Sequence, residues 1–200
     1  MDLQELRQTI NEMKTERSLL MESLEEKQEE QAELEQEIED IRKAQAILQT
    51  AAEKTQEKIE IHLSSIVTLA LETVFREPYK FITKFVSRRG KTECDLMLEK
   101  NDVQMSPEFS SGGGVMDVVS FALRIAYWKL EHTSSVIVLD EPFKMLSQDL
   151  VPRICEILKM ISKSFGIQLI IVTHIEKLTE CADKVFRVHG GKVEEAEGAK

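Results

Sequence analysis

The sequence predicts an α/β fold, a lobe built on a mostly parallel sheet with helices, preceded by a long coiled-coil helix. Two observations predict it. Residues 1–65 carry an unbroken heptad repeat, and residues 66–200 contain apolar runs that alternate with helical segments. Strands and helices that alternate in this way are typical of a parallel sheet covered by helices. We therefore expect two domains, a coiled-coil helix over 1–65 and an α/β lobe over 66–200.

The coiled-coil prediction depends on the period of the N-terminal segment. Stepping three and four residues alternately from Leu3 to His62 gives 18 positions, of which twelve are apolar, and neither proline nor glycine occurs before Pro78. A 3.5-residue period held over about eight heptads requires a supercoil, and a lone seam cannot bury itself. We expect a partner strand. Of the six polar residues on the seam, four are either register markers or tolerated substitutions: Arg17, Lys27, Gln31 and Gln45.

Charge and cysteine content limit the class of protein. The net charge of −10 lies mostly in residues 1–60, with 17 acidic and 8 basic side chains, whereas residues 61–200 have 19 and 18. The acidity therefore does not argue against an anionic partner for the lobe. Cys94, Cys155 and Cys181 are far apart and form no C-x-x-C pair, so neither a disulfide framework nor a zinc site is predicted.

The expected location follows from two absent sequence signals. No apolar run has the length of a membrane span, and the N-terminal residues lack the charged and apolar blocks of a signal peptide. We expect a soluble protein that is cytoplasmic, or nuclear in a eukaryote.

Short sequence patterns predict the elements of the lobe. Apolar runs of strand length, turn residues and helical periods follow one another from residue 79. The predicted elements are a hairpin in "YKFITKFVSRRGKTECDLMLEK", a helix through about Glu131, a strand buried on both faces in "SSVIVLDEPF", a helix over 149–164, a buried strand in "IQLIIVTH", a short helix over 175–181 and a hairpin in "KVFRVHGGKVEE".

Three chemically active side chains end the two buried strands. Asp140 and Glu141 follow the first strand, and His174 follows the second. Because ligands gather at the carboxyl ends of parallel strands, these side chains should share one edge of the sheet. An aspartate there can direct magnesium, and an adjacent carboxylate can activate water, as in many nucleotide hydrolases.

A run of three glycines in "EFSSGGGVMDVV" precedes the first predicted helix of the lobe. Glycine loses more conformational freedom on folding than any other residue, so such a run needs a reason. The order of the pieces supplies one. A glycine-rich turn, a strand ending Asp-Glu and a strand ending His resembles the C-terminal lobe of an ABC-type ATPase head. With the long coil, the chain resembles the SMC-like DNA-repair and recombination ATPases, the SbcC type in particular.

The resemblance implies a role for the glycine segment. The family signature, Leu-Ser-Gly-Gly-Gln/Glu, would contact the γ-phosphate of an ATP held by the opposite head. Here Ser110 replaces the leucine, and Gly114 replaces the Gln/Glu. The implied nucleotide-binding residues are Ser110, Ser111, Gly112, Gly113 and Gly114.

The resemblance also implies roles at the strand ends. Asp140 would contact Mg²⁺, Glu141 would polarise the attacking water and His174 would contact the γ-phosphate. Ser147 stands where the family usually has an aspartate that faces the second subunit's nucleotide. The implied catalytic residues are therefore Glu141 and His174, the implied metal ligand is Asp140, and Ser147 joins the implied nucleotide-binding residues. The implied cofactors are ATP and Mg²⁺.

The sequence contains no G-x-x-x-x-G-K-[ST] phosphate loop. Since that loop holds the β- and γ-phosphates, we expect the chain to be inactive alone. In the family the loop (Walker A) lies in an N-terminal lobe, so the chain is interpreted as the second half of a head. It is either a fragment of a longer polypeptide or a separately encoded half.

A basic group near the root of the coil suggests a second ligand. Between positions 76 and 91 there are six basic residues and one acidic residue. Contact with a DNA backbone is one interpretation, and a solvated basic hairpin face is the other. The candidate DNA residues are Lys84, Arg88, Arg89 and Lys91.

Together these features predict an ATPase half-head. It would engage a second copy of the head through sandwiched ATP and drive DNA repair, recombination or DNA organisation, with a nuclease subunit as a further partner implied by the resemblance. The alternative is a non-catalytic coiled-coil scaffold that retains the lobe for dimerisation.

Overall fold

A single helix, α1 (Leu3–Val74), accounts for more than a third of the chain. A computed structural model describes residues 3–107, 112–131 and 134–196, with the side chains of Leu3, Glu5 and Leu6 excepted. By contacts the chain divides into two units, Met1–Thr55 and Gln56–Lys200. The helix thus continues beyond the predicted coil end at 65. It ends shortly before Pro78, because the residue that precedes a proline disfavours helical backbone.

In the first unit, the apolar seam side chains that the structure describes are exposed. Leu20, Leu24 and Leu48 are 64%, 60% and 71% exposed. A single helix cannot bury such an apolar stripe, whereas a second helix in a coiled coil would bury it.

The second unit begins with an antiparallel sheet of β1 (Lys80–Arg88), β2 (Lys91–Lys100) and β3 (Val103–Met105). Arg89 and Gly90 form its first turn with φ of 53° and 72°, as a tight hairpin turn of matching twist requires. The predicted hairpin is confirmed. The third strand was not predicted, although the Asn101-Asp102 turn before it is a typical hairpin signal.

Helix α1 covers the free edge of β1 with polar side chains. An edge strand leaves every second N–H unpaired, and three residues spaced four apart on α1 accept these protons. The pairs are Phe81 N–H with Thr68 Oγ1 (2.9 Å), Thr83 N–H with Ser64 Oγ (3.0 Å) and Phe85 N–H with Glu60 Oε1.

The α/β part of the unit consists of two parallel strands and the helices around them. Strand β4 (Val136–Asp140) pairs in parallel with β5 (Gln168–Val172). Helix α2 (Gly113–Glu131) precedes β4, α3 (Val151–Phe165) connects the two strands, and the short α4 (Glu176–Thr179) follows β5. One core unites them with the end of α1, and its largest buried members include Leu71, Phe81, Leu139, Phe143 and Ile154.

The prediction that both strands are buried on both faces is wrong. Leu139 is buried, but Val138 and Val172 are 64% and 55% exposed. Helices cover only one face of this two-stranded sheet, so the alternate residues of each strand face outward.

In the described residues, the strands that follow α4 do not extend the parallel pair of β4 and β5. Strand β6 (Val185–His189) pairs with β7 (Lys192–Ala196) as a separate antiparallel hairpin, which confirms the hairpin itself. Gly190 and Gly191 turn it with φ of 55° and 76°.

The cysteines correct a further expectation, since Cys155 on α3 forms a disulfide with Cys181 after α4. The two cysteines are 26 positions apart in sequence. The segment between them includes a strand and a short helix that return the chain to α3, which spacing alone does not reveal. In the described part of the chain, no helix is both long and apolar enough to cross a membrane.

Candidate functional site

Asp140, Glu141 and His174 meet at the carboxyl edge of β4 and β5, as predicted. Asp140 is in register with Val172, and the Glu141 N–H continues the ladder by donating to Val172 O over 2.8 Å. Glu141 Oε2 lies 2.7 Å from His174 Nδ1. The His174 side chain is 73% exposed and Glu141 is 36% exposed, so a ligand can reach both groups from solvent.

The backbone that follows β4 adopts an uncommon conformation. Glu141 and Phe143 have φ of 44° and 64°, in the left-handed region that costs a residue with a side chain on the order of 1 kcal/mol. Phe143 is fully buried and packs edge-on against Phe121, with ring centroids 5.2 Å apart. Burial of the Phe143 ring offsets the cost and fixes the direction in which Glu141 leaves the strand.

The glycines at the start of α2 lie against the loop of residues 141–150. A Cβ on Gly113 would come within 2.8 Å of Met145 Cβ, and one on Gly114 within 3.1 Å of Met145 O and 3.2 Å of Leu146 Cα. The contact is also polar, because Asp117 Oδ2 accepts the Met145 N–H over 2.7 Å. Close packing inside the chain is therefore one reason for these two glycines.

Of the other predicted nucleotide-binding residues, the structure describes Gly112 and Ser147. Ser110 and Ser111 lie outside the described residues. Gly112 is exposed, and its carbonyl accepts the N–H groups of Val115 and Met116. No described atom would lie within 4 Å of a Cβ at this position. Ser147 is exposed on the 141–150 loop, where its carbonyl accepts the Leu150 N–H.

Sequence reasoning missed the residues that position this edge. Asp117 and Phe143 join α2 to the 141–150 loop, one by a hydrogen bond and one by ring packing. The signal for Phe143 was an apolar residue just after a polar strand end. Asp117 had a signal too, an acid within an apolar helix, but its partner is a backbone N–H that no residue pattern identifies.

Acidic residues on β2 compensate much of the basic group on β1. The Arg88 guanidinium binds both Asp95 carboxylate oxygens at 2.7 Å and also contacts Glu93. These bonds raise the Arg88 pKa and hold the Asp95 pKa below its usual range. The count of charges over positions 76–91 did not include Glu93 and Asp95, which lie on the neighbouring strand. Lys84, Arg89 and Lys91 are exposed.

No family model matches the sequence, and no curated protein matches it. Solved structures do resemble the chain. An Smc head domain with a coiled coil and joint from Pyrococcus yayanosii aligns with a TM-score of 0.61 and 20% identity, over 98% of this chain and 40% of that one.

Two further solved structures each align with 72% of this chain. One is from a study of ATP-driven dimerization and DNA-stimulated activation of SMC ATPases, with a TM-score of 0.56 and 16% identity over 72% of this chain and 89% of that one. The other is an SmcHead bound to the C-winged helix domain of ScpA, with a TM-score of 0.55 and 19% identity over 72% of this chain and 43% of that one.

The chain therefore has the fold of an SMC-type head with its adjoining coil, which confirms the predicted fold class. It spans well under half the length of two of these three neighbours.

Proposed function

We propose that the chain is the C-terminal half of a coiled-coil ABC-type ATPase head that engages a second head through sandwiched ATP and then hydrolyses it. The observation that carries the proposal is the contact between Glu141 and His174 beside Asp140, at the carboxyl edge of two parallel strands. Two elements of the predicted motif, 33 positions apart in sequence, thus lie together at the edge where such folds bind nucleotides.

The geometry suggests how the pair works. His174 Nδ1 holds one carboxylate oxygen of Glu141 at 2.7 Å, which leaves the other oxygen available to orient and deprotonate a water molecule. His174 remains largely exposed and can contact a terminal phosphate at the same edge. The two side chains would place the attacking water and the phosphoryl group side by side.

A magnesium ion fits the donor set at Asp140. Among the described residues, no three His, Cys, Asp or Glu side chains converge to hold a metal by themselves. Mg²⁺ takes most of its ligands from phosphates and water, with one or two carboxylates, so the exposed Asp140 suffices. When bound with ATP, the ion would neutralise developing phosphate charge.

Two exposed apolar surfaces support the proposed partners. The outward face of β4 and β5 presents Val136, Val138, Ile170 and Val172, each at least 40% exposed. An N-terminal lobe with a Walker A loop would cover this face and complete the nucleotide site. The exposed seam of α1 supports a second coil strand.

The cellular role and remaining partners follow from the resemblance alone. We propose that the complete head acts in DNA repair, recombination or DNA organisation, as a homodimer and with a nuclease subunit. Lys84, Arg89 and Lys91 are the candidate contacts to DNA phosphates, whereas Arg88 would first have to leave Asp95.

The experiment compares Glu141→Gln and Ser111→Arg in a head assembled with the Walker A lobe. Glu141→Gln should lower the rate of ATP hydrolysis by at least about a hundredfold and prolong ATP-induced dimerisation, since the water loses its base. Ser111→Arg should abolish dimerisation, because a bulky side chain occupies the phosphate contact. Glu176→Gln, on the exposed α4, is the control and should match wild type. Wild-type behaviour of all three variants would show that the chain is a scaffold.

A further inference from the structure

Cys155 and Cys181 lie at the border of the core of the second unit. Their Cα atoms are 5.5 Å apart, within the range that a disulfide requires, and the two residues are bonded. Both cysteines are half-buried and pack against the outside of the core cluster. A small oxidant or reductant can therefore approach the sulfurs without unfolding the core.

The bond joins the two chain segments that carry the catalytic pair. On one side, α3 begins directly after the 141–150 loop that contains Glu141. On the other side, Cys181 lies seven residues after His174, at the end of the segment that α4 occupies. A hydrogen bond from Lys177 Nζ to Gln148 O, over 3.1 Å, also links these segments.

The segment after His174 has few hydrogen bonds to hold it. Helix α4 has only four residues, and its backbone bonds, such as Leu178 N–H to Ile175 O at 3.0 Å and Ala182 N–H to Thr179 O at 3.2 Å, remain within the segment. Buried Ile175 and Leu178 anchor it to the core. Among the described residues, the disulfide is the only covalent cross-link between this segment and α3.

We propose that Cys155 and Cys181 form a reversible thiol–disulfide pair whose oxidation fixes the segment that carries His174. The oxidant is a low-molecular-weight disulfide of the glutathione class. One cysteine thiolate attacks it and releases one thiol, and the second cysteine then attacks the mixed disulfide and releases the other. The two protein thiols lose two electrons and two protons, and the oxidant gains them as two thiols.

Oxidation then restricts where His174 can move relative to Glu141, while reduction leaves the segment held by Ile175 and Leu178. The consequence for ATP hydrolysis depends on the function proposed above. The redox pair itself does not, because nucleotide takes no part in it.

The test uses the chain alone, equilibrated with glutathione disulfide or with reduced glutathione. Alkylation and mass spectrometry identify the bonded cysteines, and hydrogen exchange measures the amides of residues 175–182. We expect a bond between Cys155 and Cys181 after oxidation, with exchange in this segment about tenfold or more slower than after reduction. The imidazole resonance of His174 should shift between the two states.

Two variants serve as controls. Cys155→Ser should exchange like the reduced chain under both conditions, whereas Cys94→Ser, which removes the free cysteine, should respond like wild type. Cysteines that stay open to alkylation, or that carry glutathione after oxidation, would overturn the proposal. So would a bond that forms and leaves the exchange of 175–182 and the His174 resonance unchanged.

Discussion

Replacing Gly113 by alanine tests whether the glycine run is needed for packing within the chain. The new Cβ would lie 2.8 Å from Met145 Cβ, closer than carbon atoms approach, so Met145 must move away. Its backbone cannot move freely, because Asp117 holds the Met145 N–H at 2.7 Å. Overpacking of this kind costs about 1–3 kcal/mol. Alanine regains about 1 kcal/mol over glycine within a helix. The balance is a net loss of up to about 2 kcal/mol in the free energy of unfolding.

Gly112→Ala is the matched control. No described atom would lie within 4 Å of its Cβ, and it immediately precedes α2. The substitution exchanges one glycine for alanine without the contact to Met145, so its effect should stay within about 0.5 kcal/mol.

Urea unfolding measures both effects through the fluorescence of Trp128, the single tryptophan, which lies near the other end of the same helix. The reasoning requires a lower urea midpoint for Gly113→Ala than for Gly112→Ala, at an unchanged slope. Adding Met145→Gly to Gly113→Ala should restore part of the loss, because it removes the opposing Cβ. Equal midpoints for the two alanine variants would refute the packing explanation.

Two further predictions concern the sheet of β1–β3. Thr68→Val leaves the Phe81 N–H without its acceptor and should lower the free energy of unfolding by about 1–3 kcal/mol. Thr73→Val is the control and should have little effect, because the Thr73 hydroxyl bonds within its own helix. Equal losses for the two variants in urea unfolding would contradict this explanation. Arg88→Gln should raise the Asp95 pKa toward its ordinary value, as measured by carboxyl NMR. Because Arg88 depresses the folded-state Asp95 pKa, the stabilisation is present above the ordinary carboxyl pKa and is lost as pH falls through the depressed value. An unchanged Asp95 pKa would show that the ion pair does not form in solution.

Local patterns predicted the elements of the fold because the determinants are local. The turn at Arg89-Gly90 requires left-handed backbone. Between Val136 and Val172 an apolar strand, a helix and a second apolar strand follow one another, and this order favours parallel pairing of the two strands. Both follow from neighbouring residues. The same patterns brought Glu141 and His174 together, since strand ends that share an edge are fixed by topology.

What the sequence did not reveal depends on contacts between distant segments. Outward exposure of Val138 depends on how many strands the sheet has and on which faces helices cover. The neutralisation of Arg88 depends on Asp95, which is seven residues away in sequence and lies opposite Lys84 on the neighbouring strand. The bond between Cys155 and Cys181 requires the return of the chain through β5. Residue spacing does not encode these relations.

The contacts at the edge connect the start of α2 with the pair proposed to be catalytic, Glu141 and His174. Gly113 and Asp117 hold Met145, which lies four residues after Glu141, and Glu141 contacts His174. Phe143 lies between Glu141 and Met145 in sequence, and its buried side chain restricts movement of the loop. A ligand that presses on the first turn of α2 would therefore move the Glu141 carboxylate unless the Met145 contact yields. If the ATP of the second head is that ligand, packing within this chain couples head engagement to activation of the water. Ser147, which stands in the place of the family's aspartate, is then not needed for this coupling.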